Sequence, residues 1–340
     1  MRALRLIEEE QLSFGEIADP PPPGDGEVLL RMQALSLNHI DLFGVRGMAF
    51  AKRALPLIVG VEGSGVVEAV GPGVDHVQPG DLAIVYPGLF CGVCRRCKAG
   101  QENLCEDIGG IMGFHVDGLA RERLVAPAAR VLKAPDGVSA VQAACTTVTF
   151  ATVQHMLFDN AKLEPGETIL VHAGGSGIGS TAIRMAKALG CTVITTVGSA
   201  DKAEKAAALG ADHVIDYREE RFEGRVRRLT GRQGVDVVFE HVGPDTWPGS
   251  LLSLRRGGRL VTCGSTSGVS APTNLYSLFQ QQLRIIGSFG SSVRNCRESL
   301  DKMAAGLLPA IDSEIALADF PAAIERLRNR DVFGKIVARF

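Results

Sequence analysis

The chain has 340 residues, 46% of them hydrophobic and 22% charged, which excludes wholesale disorder and leaves ample side chain for a large core. Lys plus Arg (36) nearly balances Asp plus Glu (38), for a net charge of −2, so there is no general pull toward nucleic acid or an anionic membrane. Eight cysteines are too sparse for a disulfide scaffold, while 40 glycines exceed the average of ~7%.

The N-terminus turns acidic after Ile7 and has no long apolar run. No apolar stretch approaches the ~18 residues needed to span a bilayer. The expectation is a soluble, cytoplasmic protein with reduced thiols and neither a membrane nor a nucleic-acid partner. At ~150 residues per domain, the length predicts about two domains.

The first third reads as β-rich. Partial alternation predicts a strand over 27–35, and glycine-bounded runs predict short strands over 65–71 and 81–85. The segment Pro20-Pro-Pro-Pro-Gly-Asp-Gly26 reads as a stiff turn region. The middle alternates strand and helix. Strands are predicted over 168–173, 192–197, 213–216, 235–240, 259–263 and 284–288, with helices over 180–189, 201–209 and 219–230. Gly190 is placed to end the first of these helices. Near-continuous apolar strands at this spacing predict βαβ units around a parallel sheet covered on both faces. The last ~50 residues are too few for a further domain and are expected to complete the N-terminal one.

Between the first strand of that series and its helix lies Gly174-Gly175-Ser176-Gly177-Ile178-Gly179, a G-x-S-x-x-G variant of the dinucleotide fingerprint. Glycines there allow close backbone approach to a pyrophosphate, and the helix N-terminus attracts its charge. An NAD site places Asp or Glu ~20 residues beyond the loop. Here the nineteenth residue past Gly179 is Gly198, followed by Ser199 and Lys202. The missing carboxylate favours NADP(H) over NAD(H). Asp201 weighs against this, but it stands where a helix begins and reads as a cap.

Cys91-Gly-Val-Cys94-Arg-Arg-Cys97 followed by Cys105 has the spacing C-x2-C-x2-C-x7-C. Four thiolates make a closed tetrahedral zinc site, and an iron–sulfur cluster also takes four.

Together these features resemble the medium-chain dehydrogenase/reductase superfamily, which includes zinc alcohol dehydrogenases and quinone oxidoreductases. The likeness runs from the strand-rich start through the cysteine lobe and Val171-His-Ala-Gly to the closing Phe333-Gly334-Lys335. It implies an α/β fold with two parts. A GroES-like β-barrel catalytic domain would span 1–150 and 292–340, with one structural zinc in the lobe near 91–105. A Rossmann domain would span 151–291, with the active site in the cleft between the two. It further implies that Tyr217 joins Ser199 and Lys202 around the 2′-phosphate. Gly264, Ser288, Phe333, Gly334 and Lys335 would line the adenosine and nicotinamide path. The assembly implied is a homodimer or homotetramer.

Zinc alcohol dehydrogenases hold a second, catalytic zinc through Cys-x-x-Asp, Gly-His-Glu and a further Cys. The matching segments here are Asn38-His-Ile-Asp41, Gly60-Val-Glu62 and Cys145. Valine cannot bind metal, and a lone thiolate with an amide is a poor zinc site. A rearranged site from His39, Glu62 and Cys145 is disfavoured, because adjacent strand residues face opposite ways. Cys145 reads as a small buried residue, Cys191, Cys263 and Cys296 as structural, and His115 and His155 as ordinary structural or surface histidines. Asn38 matches the asparagine of quinone oxidoreductase-like members. Its amide either orients a substrate carbonyl or only ties a loop together. The expected activity is NADPH-dependent reduction of a quinone or α,β-unsaturated carbonyl, with the proton coming from water or solvent bound at Asn38. The alternatives are an alcohol/ketone dehydrogenase without an ordinary catalytic zinc, and an NADPH-binding protein without turnover.

Overall fold

Along Glu27–Ser36 the residues Val28, Leu30, Met32 and Ala34 are buried at every second position, as a strand with one face on a core requires. This strand, β3, is the spine of the first of two units in a computed structural model that describes residues 1–47 and 53–340. The first unit comprises Met1–Ala151 and Ser291–Phe340, and the second Thr152–Gly290.

The first unit begins with β1 (Arg2–Glu8) and β2 (Gln11–Glu16). After β3 come the helix α1 (His39–Arg46), β4 (Leu57–Ile58), β5 (Glu62–Val70) and β6 (Leu82–Val85). Next are β7 (Arg123–Pro127) and β8 (Val131–Lys133). From the chain's end come β15 (Ile311–Ala316) and β16 (Lys335–Arg339). A seven-stranded sheet runs β15-β16-β3-β5-β6-β8, with β7 also paired to β3, and a small sheet runs β2-β1-β4. Two registers matter for function. Ser36 on β3 lies opposite Glu62 on β5, and opposite Val337 on β16. The end of β3 and the starts of β5 and β16 therefore meet at one edge of the sheet.

The second unit holds β9 (Thr168–Val171), β10 (Thr192–Val197), β11 (His213–Asp216), β12 (Val235–Glu240), β13 (Leu254–Thr262) and β14 (Arg284–Gly287). All pair in parallel in the order β11-β10-β9-β12-β13-β14, so the order reverses between β9 and β12. Such a switch point opens a ligand crevice outside the carboxyl ends of the strands. Leu170, Ile194, Ile215, Val238 and Leu260 are buried in its core.

Beyond shifted strand ends, as in β5 and β13, three differences from the sequence expectation have a clear physical setting. The helix expected at 180 is Gly177–Ala188, because Ser176 Oγ accepts the Gly179 amide at 2.9 Å and caps it three residues earlier. The helix expected from 219 is Phe222–Leu229, because Asp216 Oδ1 takes the Arg218 amide at 2.9 Å and closes a turn first. The third is β14, an edge strand that is mostly exposed rather than covered on both faces. Among the described residues no helix is long and apolar enough to cross a membrane.

Candidate functional site

Where β3, β5 and β16 meet, their chain ends bring together Ser36, Asn38, Glu62 and Lys335. Asp41 and Lys335 are buried there, as are Ser36, Glu62, Cys145 and Thr149, while Asn38 is half-buried. Glu62 is the hub. Its Oε1 accepts the amides of Val148 and Thr149, both at 2.7 Å, at the opening of the π-helical turn Thr146–Phe150. Amides in such an opening turn lack intrahelical partners, so a carboxylate satisfies them. Its Oε2 accepts Asn38 Nδ2 at 3.0 Å, Thr149 Oγ1 at 3.0 Å and Lys335 Nζ at 3.3 Å. Lys335 Nζ also donates to Leu37 O and Asn38 Oδ1, each at 2.6 Å.

Asp41 closes the floor of the cluster. Its carboxyl accepts the amides of Asn38 at 2.8 Å and Val61 at 3.2 Å. Burial pushes it up to about 7 against the pull of those amides and of Lys335. Cys145 Sγ lies 3.5 Å from Ser36 Oγ, and burial pushes its thiol up to about 12.

The amide of Asn38 is fully committed. One hydrogen goes to Ser36 O at 3.0 Å and the other to Glu62 Oε2. Of the two roles open from the sequence, a free donor to a substrate carbonyl does not match this geometry. Both hydrogens already have acceptors, and Asn38 is instead a junction between strands. Lys335, placed on the cofactor path by the resemblance, directs its ammonium into the same cluster. Phe333 is buried and its amide bonds Asp312 Oδ1 at 3.0 Å. Gly334 has φ +91°, and a Cβ there would fall 2.2 Å from Ala310 O, so only glycine fits.

The four cysteine sulfurs of the lobe lie within 4.8 Å of one another, with Cys91–Cys97 at 3.9 Å and Cys94–Cys105 at 4.0 Å. Tetrahedral zinc with bonds of ~2.3 Å sets sulfurs about 3.8 Å apart, so the set fits zinc. Backbone amides point at the sulfurs, from Cys94 to Cys91 (3.3 Å), Cys97 to Cys94 (3.4 Å) and Cys91 to Cys105 (3.3 Å). Such contacts stabilise thiolates.

In the second unit the glycine loop leaves β9 at the switch point. A Cβ at Gly174 would fall 2.4 Å from Thr195 Oγ1, and one at Gly179 would fall 2.2 Å from Ala173 O, so strand, loop and helix approach as only glycine permits. With Gly179 bonded to Ser176, the helix offers the amides of Gly177 and Ile178 in its first turn. Gly175 precedes the cap, inside the tight turn that the Ser176 amide closes on Ala173 O at 2.8 Å. At the end of β10, the Tyr217 hydroxyl lies where a Cβ on Gly198 would be, 2.4 Å away. Ser199 caps the next helix through the Lys202 amide at 3.4 Å, so Ser199, Lys202 and Tyr217 are neighbours. Asp201 instead pairs with Lys205 at 2.9 Å. Gly264 follows β13 on the same carboxyl edge. Ser288 follows β14, with its hydroxyl 3.0 Å from both His155 Nδ1 and Asn160 Nδ2.

Residues 24–136 match the alcohol dehydrogenase GroES-like domain, and residues 177–305 the zinc-binding dehydrogenase family. A quinone oxidoreductase of Salmonella typhimurium is 36% identical over 262 residues, 77% of this chain and 72% of that protein. A 2-haloacrylate reductase of Burkholderia sp is 34% identical over 330 residues, 93% of this chain and 91% of that one. The crystal structure of an NAD-dependent alcohol dehydrogenase matches with a TM-score of 0.95 and 38% identity, covering 100% of both chains. The chain belongs to the medium-chain dehydrogenase/reductase superfamily.

Within this superfamily the two units are the GroES-like domain and the Rossmann-type domain, and the protein is an NAD(P)-dependent oxidoreductase. The residues at the catalytic zinc position do not fit that metal. Val61 offers no donor atom, and both amide hydrogens of Asn38 are taken, which leaves Cys145 without converging partners. Among the described residues only the four lobe cysteines converge as a group of three or more His, Cys, Asp or Glu ligands.

Sequence reasoning missed a second buried network behind the crevice. His172 Nε2 lies 2.9 Å from Ser250 Oγ, which donates to Glu240 Oε2 at 2.7 Å, and Glu240 Oε1 accepts the amides of Val242 and Gly243 at 2.7 and 3.1 Å. Burial pushes His172 down to about 4, so it is neutral near pH 7. Polar residues in otherwise apolar strand ends were its only signal.

Proposed function

We propose that the protein is an NADPH-dependent reductase of quinones or α,β-unsaturated carbonyls that works without a catalytic zinc. The observation that carries this reading is the closed Asn38–Glu62–Lys335 cluster in place of a second metal's ligands. Zinc makes an alcohol acidic enough to lose its proton, and without such a Lewis acid its oxidation needs another means of stabilising the alkoxide. Hydride addition to a conjugated C=C needs less help, since the charge spreads onto the carbonyl oxygen as an enolate.

The bound cofactor supplies the hydride. Gly174, Gly175, Ser176, Gly177, Ile178 and Gly179 are the residues that would cradle its pyrophosphate. Ser199, Lys202 and Tyr217 would surround the 2′-phosphate, with no carboxylate at the tip of β10 to repel it. The enolate or hydroquinone anion then takes one proton from water. Relatives named quinone oxidoreductase and 2-haloacrylate reductase agree with this class of acceptor. The 38% identity to an NAD-dependent alcohol dehydrogenase favours the second reading, an alcohol/ketone dehydrogenase.

Oxidation of NADPH and NADH should be followed with 1,4-naphthoquinone, cyclohexenone, cyclohexanone and ethanol, the last with oxidised cofactor. The expected result is turnover with NADPH and the conjugated acceptors, and one zinc per chain. Turnover of cyclohexanone or ethanol at comparable rates would establish the second reading instead, and two zincs per chain would overturn the reading without a catalytic zinc.

A further inference from the structure

A buried ammonium is retained only where acceptors compensate it, and Lys335 has three. They are Leu37 O, Asn38 Oδ1 and Glu62 Oε2, at 2.6, 2.6 and 3.3 Å. An ammonium can only donate, so the Asn38 atom that meets it must be the carbonyl oxygen. Ser36 O and Glu62 Oε2 only accept, so they demand the same orientation from the Nδ2 side, and Lys335 is the group that holds the oxygen side. Thr149 Oγ1, 3.3 Å from Asn38 Oδ1, cannot do the same, because a hydroxyl both donates and accepts.

The register explains why Lys335 is the residue in place. With Val337 opposite Ser36, and the Leu37 amide bonded to Ile336 O at 3.0 Å, the first residue of β16 comes beside the chain leaving β3. Asn38 is the half-buried side chain of this cluster, so it would meet a substrate through its shape and dipole and not through a free hydrogen.

We propose that Lys335 is a positioning residue: its ammonium anchors the oxygen side of Asn38, completing the hold of Ser36 O and Glu62 Oε2 on the amide, and thereby fixes the polar wall against which the acceptor is held. This rests on the reading of the protein as a hydride-transferring reductase. It also moves Lys335 from the cofactor path to the substrate side.

The test compares wild type, Lys335→Met and the charge-balanced pair Glu62→Gln/Lys335→Met. NADPH Kd is read by fluorescence, kcat with 1,4-naphthoquinone, and Tm by thermal melting. The Asn38 side-chain amide is read in 15N NMR, assigned by its loss in Asn38→Asp. In Lys335→Met the expected changes are a moved or doubled Asn38 signal, a kcat about 10- to 100-fold lower and an NADPH Kd within about threefold of wild type. The pair should regain Tm, since no buried charge is left alone, while kcat stays low.

An unmoved Asn38 signal overturns the proposal. So does an NADPH Kd weakened tenfold or more with kcat retained, which would make Lys335 a cofactor ligand. Recovery of kcat in the pair also overturns it, because Lys335 would then only balance Glu62. If wild type reduces no acceptor, the functional reading fails, and the Asn38 signal still decides the positioning.

Discussion

At the scale of single residues, the cluster holds two carboxyls and one ammonium away from water, so it cannot ionise fully without a net buried charge. Asp41 yields, with its carboxyl raised to about 7 chiefly by burial, while the charge on Lys335 opposes the rise and that on Glu62 adds to it. An unfolded Asp titrates near ~3.9, so between about pH 4 and pH 7 the folded state binds the extra proton. The contribution of Asp41 to stability is therefore fully present below pH ~4 and is lost as the pH rises through about 7. Asp41→Asn removes the titration. It also removes an acceptor for the Asn38 or Val61 amide, so the variant should melt lower than wild type at every pH. The deficit should be larger at pH 5, where wild type keeps the proton, than at pH 8. Melting curves at the two pH values read this directly, and equal deficits would show that Asp41 holds no proton in the folded state.

At the scale of elements, glycines of the second unit play two different parts. Gly179 brings the helix Gly177–Ala188 against the turn at Ala173, and its missing Cβ is the reason it can. Gly190 only ends that helix at φ +90°, with nothing within 4 Å of a Cβ. Gly179→Ala should weaken NADPH binding by about tenfold or more, because backbone on backbone cannot yield. Gly190→Ala should cost about 1–2 kcal/mol of stability through its left-handed conformation and leave NADPH Kd unchanged. Fluorescence titration and melting separate the two, and equal loss of NADPH affinity would refute the packing argument. The same elements show what a sequence makes readable. Strands β9, β10 and β12, buried on both faces, stand out as apolar runs, and Gly190 marks a helix end by itself. The turn Thr146–Phe150 was not readable, because Thr-Thr-Val-Thr favours extended chain locally and is held in a π-helical turn by a carboxylate from β5. Glu62 itself was visible only as the remnant of a motif. Its partners Asn38 and Lys335 lie 24 and 273 residues away, a distance that local pattern does not bridge.

At the scale of the whole molecule, each unit has an apolar core among the described residues, and no residue of the zinc lobe lies in either. Between Cys91 and Cys105 the side chains of Val93 and Leu104 are exposed, and Cys91, Cys94 and Cys97 are only half-buried. Without metal, those residues bury too little apolar surface to offset the entropy of ordering the loop. The lobe is linked to its own unit by Glu102, whose Oε2 accepts the Val293 amide at 3.2 Å where the helix Val293–Ala304 begins. A bond of this kind contributes about 1 kcal/mol, small beside the entropy of ordering fifteen or so residues. Removal of zinc, by a chelator or by Cys94→Ser, should therefore release the lobe while both cores persist. Zinc per chain should fall from one to zero, and trypsin should then cut after Arg95, Arg96 or Lys98, bonds that the metal-bound lobe protects. Far-UV circular dichroism should stay near its starting value and NADPH Kd within about twofold, because the crevice residues lie in the other unit. Cooperative loss of the whole dichroism signal with the metal would mean that the lobe supports the barrel core, and that its folding is not separable from the rest.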